Sequence, residues 1–559
     1  MIEREAVDDA LLARGLRIDA APEGKTVGVI HVANHDVFSP RDPGLVRWLN
    51  VFHRTTREDV IRREVLLRPG ARWDEALADE TARNLRRDVD LSSLVVVLPV
   101  KSAEPNKVDL LVVTRDVWSL RFNTDFEHQE GTLISLQTSL SENNLFGWRK
   151  RVSMNFDMYQ GSYSLGPSYL DPNIAGTRLT LSAAYRWVFS RETDEQEGSS
   201  VAAAFAYPLF SLDSKWGAGL SVAHSDLVYR AFLRDQLQVV DLPDSSTEEM
   251  LPYIYRARSD SITSSVVRSF RMRHVIQRVT AGHQLRAVRP TLTDDFPEMD
   301  PDVRARFLRF FVAPSQRISA LFLRYRLFTP RYRVYRDFDT FDLREDALLG
   351  PNLSLYGARA ASWLGSEVEH VDLAAGAGWS LDLGDGAQRV FAEWSGRADD
   401  DGSLTEESVS GSVYLASPML LRAARGILGG EATTILRTSS GQRVSLGGED
   451  GLRGYAVGEF FSREDPLHAR FLAHAEVRSR GFRIASLRLG GLVFYDAGHA
   501  ATRFSTLYPY QDAGFGLRLL IPQLNAYVLR FDWAFAFQDT PNTRAGWPGR
   551  LSLGFYQVF

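Results

Sequence analysis

Few residues of this sequence have the types and spacing for chemistry. Those that do are charges set singly into apolar, strand-like segments. Arg530 and Asp532 stand among Leu529, Phe531 and Trp533, and Asp496 stands in Phe494-Tyr495-Asp496-Ala497-Gly498. Charge on one face of a strand whose other face is aromatic suits a wall between lipid and a wet interior. Arg453, in Leu446-Gly447-Gly448-Glu449-Asp450-Gly451-Leu452-Arg453-Gly454-Tyr455, reads by itself as a solvated loop residue. No bond-breaking constellation accompanies these charges: there is no G-x-S-x-G elbow and no Walker phosphate loop. His31 and His35 are four residues apart, but in a strand-like segment that puts their Cα atoms about 13 Å apart, too far to share a metal. Asp399-Asp400-Asp401-Gly402 reads as a solvated hairpin tip rather than a calcium loop. The expectation is therefore a protein that is not an enzyme, with no catalytic residue, no metal and no cofactor.

The elements that would position these charges are strands. Tyr527, Leu529, Phe531, Trp533, Phe535 and Phe537 share one face of a segment, and Val528, Arg530, Asp532, Ala534 and Ala536 share the other. The same period of two recurs at 152–158, 179–187, 371–381 and 515–521, and about twenty such segments follow Trp118. The links after even-numbered segments are mostly short, as at Gly384-Asp385-Gly386 and Arg480-Gly481. Those after odd ones are long, as at 233–253, 290–314, 439–466, 498–510 and 538–549. Short turns alternating with long loops are the pattern of a transmembrane antiparallel β-barrel with an even strand number, here roughly 16–20. Thr329 to Gly350 is the exception, a long link where a short turn is expected, with an extended strand pair as the alternative. No run of about 18 uncharged apolar residues predicts a membrane helix. The net charge of −5 argues against a nucleic-acid partner. The absence of cysteine excludes disulfides and thiolate metal sites. Met1-Ile2-Glu3-Arg4-Glu5 is not a secretory leader, so the barrel reading requires that a leader has been removed.

Before the barrel the text differs. Residues 1–24 predict a loose or short helical tail. Residues 25–117 read β-α-α-β-β: a strand at 26–38, a helix capped by Thr55 with Glu58 three residues on, a second helix carrying Trp73, Leu77, Thr81, Asn84 and Leu85, and two β-rich runs at 94–100 and 108–113. This predicts one small α+β domain, with residues 118–559 forming the barrel. Asp300-Pro301-Asp302 begins a helix expected to pack over the barrel mouth.

Four features together resemble the BamA/TamA-type outer-membrane assembly factor superfamily, which includes two-partner-secretion transporters. Leu452-Arg453-Gly454-Tyr455 resembles the family's (V/L)-R-G-(F/Y) loop. Phe494-Tyr495-Asp496-Ala497-Gly498 resembles its F-x-D-x-G strand. Gly514-Phe515-Gly516-Leu517-Arg518 with Leu529-Arg530-Phe531-Asp532 resembles its penultimate strands, and Ser141-Glu142-Asn143-Asn144-Leu145-Phe146-Gly147 the end of its second strand. The 25–117 domain resembles a POTRA domain, the periplasmic module of these proteins. The resemblance implies that the loop near 439–466 folds into the barrel, that Arg453 within Arg453-Gly454-Tyr455 binds Asp496 on the inner wall, and that Gly498 leaves room for it. A guanidinium withdrawn from bulk water needs such a partner, and its planar fork matches a carboxylate with two hydrogen bonds. The chain departs from the family in having a single POTRA-like domain and more strands than the usual sixteen.

The function implied is non-enzymatic insertion or translocation of polypeptide at the bacterial outer membrane, with the N-terminal domain in the periplasm. Expected partners are unfolded outer-membrane or secreted polypeptide clients, outer-membrane lipid and accessory assembly subunits. A client strand would be templated at the barrel seam and at an edge of the small domain, for which Val108, Leu110 and Val112 are the candidates. Phe555 and the terminal Phe559 are candidates for an assembly signal on the last strand. The alternative is a passive or gated outer-membrane pore with a vestigial POTRA domain.

Overall fold

The computed structural model describes residues 2–38, 48, 53–87, 92–129, 132–233, 236–242, 250–294, 296–312, 314–338, 341, 344–448, 451–462, 465–484, 487–520 and 528–555. Two bodies follow one another along the chain. The first is a three-stranded sheet of β1 (Thr26–His35), β2 (Ser92–Lys101) and β3 (Lys107–Asp116), in the order β1-β3-β2. β3 runs parallel to β1 and antiparallel to β2. Helices α2 (Glu58–Glu64) and α3 (Glu75–Arg86) cover one face, burying Ile61, Ala78, Ala82 and Leu85 against Val27, Val95, Val108, Leu110 and Val112. The other face is covered by α1 (Ile2–Arg14), whose Ala6 and Ala10 pack on Ala33, Leu94, Val96, Leu111 and Val113. The N-terminal stretch is thus not a loose tail but the second layer of this unit. The capping box is not formed either. Arg57, not Thr55, occupies the α2 N-cap without a side-chain bond, while Asp74 caps α3 through the Ala76 and Leu77 N–H groups.

The candidate client edge is corrected by this topology. Val108, Leu110 and Val112 lie on β3, which pairs on both sides and is the central strand, and all three are fully buried. A strand whose N–H and C=O groups are already engaged on both sides has nothing to offer a client. The edges are β1 and β2.

The second body is one large antiparallel sheet. Twenty-two strand segments run from Leu120–Gln129 to Arg550–Phe555, each beside its sequence neighbour. Two pairs are collinear. Gln316–Phe328 and Arg331–Arg336 both pair with Arg344–Ala360, and Ala469–Ser479 and Phe482–Ile484 both pair with Leu487–Ala501, which leaves twenty strands. The long link at 329–350 is therefore an extension of this strand pair beyond its neighbours. The strand order is circular. Every junction carries a described residue register except the one between Arg550–Phe555 and Leu120–Gln129.

Alternation sets the two faces. Outward residues such as Leu321, Leu323, Trp379, Val413, Phe515 and Leu517 are apolar and exposed. On the strand Leu529–Ala536, Leu529, Phe531, Trp533 and Phe535 point outward, while Arg530, Asp532, Ala534 and Ala536 point inward and are buried. Among the described residues no helix is long and apolar enough to cross a membrane. Tight turns such as Arg273–His274 and Gly384–Asp385 gather at one end of the sheet. The N-terminal body sits at this near end. The Arg86 guanidinium donates two 2.8 Å bonds to Asp346, Glu80 accepts from the Leu212 N–H at 2.6 Å, and Arg57 stacks on the Trp148 ring. Long links gather at the far end, where the helix Pro301–Phe311 buries Val303 and Phe307 in a cluster with Leu242, Leu251, Ile254 and Phe296.

Candidate functional site

Residues 438–468 join the strands Ala424–Arg437 and Ala469–Ser479 at the far end, but they turn back inside the ring. Leu446, Leu452, Tyr455 and Phe460 are buried there against Leu472, Ala500 and Ala536. Two glycines permit this approach. A Cβ on Gly454 would lie 2.6 Å from the Asp512 Cβ and 2.9 Å from the Ala536 nitrogen, and one on Gly498 would lie 2.7 Å from the Phe471 carbonyl and 3.0 Å from Leu446. All four distances are shorter than ordinary packing allows, so a side chain at either place would push the loop off the wall.

The loop carries Arg453 to the inner wall. Its Nε and Nη2 donate to the two Asp496 oxygens at 2.8 and 2.9 Å, the bidentate arrangement. Its Nη1 lies 2.8 Å from Glu476 and 3.6 Å from Asp532, and the guanidinium stacks 3.4 Å above the Phe494 ring centroid. Burial by itself would depress the Arg453 pKa, but Asp496, Glu476 and Asp532 outweigh it and hold the pKa above the ordinary arginine value. The next residues anchor the loop further. The Gly454 N–H donates to Asp512 at 3.0 Å, and the Tyr455 hydroxyl donates to Gln538 Oε1 at 2.6 Å. Burial pushes the Tyr455 phenol up to about 12, so it stays a donor across the physiological range. The Ala456 N–H donates to the Thr543 hydroxyl, which donates on to Glu459.

The wall beneath is a matched charge lattice. Asp532 accepts from Arg518 at 2.6 and 3.2 Å and lies 3.8 Å from Arg530. Glu476 accepts from Arg478 at 2.6 Å. Asp496 and Asp512 face each other in register on adjacent strands. Four arginines and four carboxylates thus meet in one buried cluster, in which Asp496, Glu476 and Asp532 face arginines and Asp512 accepts from the Gly454 N–H.

A second element enters from the near end. The extended pair Arg331–Arg336 and Arg344–Leu349 carries Phe338 and Phe341 against inward residues of the wall. Phe338 packs with Tyr335, Ala387, Ala416 and Ile427, and Phe341 packs with Leu520 and Val528 on the opposite side. Arg425 lies 4.2 Å from the Phe338 ring centroid, and Arg478 donates to the Phe338 carbonyl at 3.2 Å. Arg478 therefore bonds both the near-end hairpin and Glu476, which meets Arg453 of the far-end loop.

Of the residues singled out from sequence, Arg453, Gly454, Tyr455, Asp496 and Gly498 come together in this one site. Glu476, Asp512, Arg478 and Arg518 belong to it as well and were not singled out. Leu472, His474, Glu476 and Arg478 alternate with Phe471, Ala473, Ala475 and Val477, a parity that marks an inward face. Phe555 lies elsewhere, paired with Leu529 on the last strand, and Phe559 lies outside the described residues.

Comparison with known proteins gives likenesses of structure alone. No family model matches the chain, and no curated protein matches it. Among solved structures, BamA from Haemophilus ducreyi lacking POTRA domains 1-3 is 13% identical, with 94% of this chain and 84% of that one covered at a TM-score of 0.33. CdiB from Escherichia coli is 12% identical, with 95% and 75% covered at 0.44. The siderophore receptor PirA from Acinetobacter baumannii is 8% identical, with 82% and 77% covered at 0.38.

Proposed function

We propose that this chain is a closed outer-membrane β-barrel of the BamA/TamA-type superfamily that inserts or passes polypeptide across the bacterial outer membrane without making or breaking bonds. The observation that carries the reading is the Arg453 loop, held inside the ring by Asp496, Glu476 and Asp532 and admitted there by Gly454 and Gly498. A loop pinned on the inner wall by a balanced ion cluster can move as a unit, because its charges keep their partners only in one seated position. The near end faces the periplasm and the N-terminal domain receives clients there. The seam between Arg550–Phe555 and Leu120–Gln129 is where a client strand would be templated.

The receiving edge is β2. The Pro99 carbonyl and the Lys101 N–H of its outer side are engaged by Asp19 and Arg17. By parity Val95 and Val97 turn their main-chain groups the same way, and the Val97 N–H has no described main-chain partner on that side. Purified full-length protein in lipid vesicles is expected to speed insertion of a nascent barrel well beyond protein-free vesicles. Equal rates would overturn the reading.

A gated pore is the second reading, favoured by one observation: inward residues on the strands 196–230, among them Ala202, Ser221 and Ala223, are small and exposed. Vesicles that conduct ions at full rate yet insert no client would select it.

A further inference from the structure

The inner wall of the strands Val275–Thr291 and Gln316–Phe328 carries arginines without acids. Arg278 and Arg326 stand directly opposite one another in the register, and Arg324, opposite Thr280, follows on the same face. Leu321, Leu323 and Tyr325 alternate with them on the outer face, which places the three arginines inside. Among the described residues none of the three has an ion-pair or hydrogen-bond partner, and the buried Arg278 Nε has no acceptor. They rest on aromatic rings instead: Arg278 and Arg326 lie 5.1 and 5.5 Å from the Phe328 centroid, and Arg324 lies 5.5 Å from that of Tyr356. Arg286, eight residues further toward the far end on the same face, is unpartnered as well.

Like charges directly opposite on a sheet face destabilise it. Other arginines of the inner wall have acid partners: Arg186 meets Asp157, Arg397 meets Asp372, and Arg518, although opposite Arg530, meets Asp532. The inward residues on the next strand are Ser269 opposite Arg278, Val267 opposite Thr280, then Ser265 and Thr263, with Gly217, Gly219 and Ser221 beyond, and none is acidic. We propose that Arg278, Arg324 and Arg326 form a track for the carboxylates of an extended, acidic stretch of client polypeptide lying along this wall. The spacing fits: Arg324 and Arg326 are two residues apart on one strand, about 7 Å, which is also the spacing of alternate side chains in an extended partner. A guanidinium over a ring keeps its outer N–H edge free for a carboxylate.

The proposal rests on the conduit reading, and the test separates the two. Full-length protein in detergent is titrated with a fluorescein-labelled peptide of alternating Glu and Ser, followed by anisotropy. Binding is expected to weaken at least tenfold in R278Q/R324Q/R326Q and to fall with added salt, while a Lys-Ser peptide is not bound. The three positions are unpaired, so the variant should keep its heat-resistant folded form on gels. Arg326→Gln alone, expected to weaken binding severalfold, serves if the triple variant does not fold. Equal binding by the variants, or equal binding of the Lys-Ser peptide, would overturn the proposal. Peptide binding by a protein that inserts no client would leave the track standing and sink the conduit reading.

Discussion

The two halves of the inner wall have the same alternation in sequence but opposite interiors. From Ala424 to Phe555 the inward side chains are charged, matched and buried beneath the Arg453 loop and the 331–349 hairpin. From Thr180 to Phe328 many of them are Ser, Ala and Gly, and Arg278, Arg324 and Arg326 have no acid partner among the described residues. The difference lies in what the links do, not in the strands. A long loop and an extended hairpin fill one half from both ends, and on the other the inward residues of the strands 196–230 are small and several are exposed. A filled half gives rigidity, because its charges hold one another in a shared buried network. An empty half gives room for something to pass.

The sharpest way to break this comparison is to cut the filled half at its centre. Arg453→Ala leaves Asp496 buried without its cation, and losing one partner of a buried pair typically costs about 3–5 kcal/mol. Asp496→Ala should give a similar loss of client assembly, and the double variant should be no worse than either, because the two residues act as one unit. Losses that simply add, measured as client assembly in cells, would show that the contact is not functional. Next in size is the hairpin. Phe341→Ala removes the ring that Leu520 and Val528 cover, a change that in a packed core costs about 3–5 kcal/mol. It should raise ion conductance from the near side in planar bilayers while the Arg453 loop stays protected from protease. Unaltered conductance would mean the tip does not seal the mouth.

Smaller effects are expected at the N-terminal domain. Val97→Pro removes an outward N–H from the edge strand β2 and should abolish client crosslinking with the domain still folded. Leu110→Pro instead breaks the central ladder and should unfold the domain. Equal folding of both, read by circular dichroism of the full chain, would contradict the strand order. Smallest of all, Arg324→Gln on the open half should alter stability by no more than about 0.5 kcal/mol, since it breaks no pair.

Much of this was legible in the residues. The parity of Leu529 to Phe537 separates an oily from a charged face, and Leu452-Arg453-Gly454-Tyr455 with Asp496 marks the loop and its wall. What was not legible depends on register between strands. Asp512 faces Asp496, and Glu476 reaches Arg453, only because three strands align as they do, and alternation within one strand cannot fix that. The 329–350 link stood out as the one long link where a short turn was expected, and the alternative of an extended strand pair is what the register shows. The placement of β3 had a signal that was missed. Leu110-Leu111-Val112-Val113 is an unbroken apolar run, the mark of a strand covered on both faces and therefore a poor candidate for an edge.

The central claim is that polypeptide travels along the open half of the barrel. It is tested most directly by placing a photo-crosslinking amino acid at Ser221 on the open half and, separately, at His474 in the filled half, and trapping clients in cells. Polypeptide adducts at Ser221 and none at His474 are the expected result. Adducts at neither position, in a barrel that folds and conducts ions, would contradict the account.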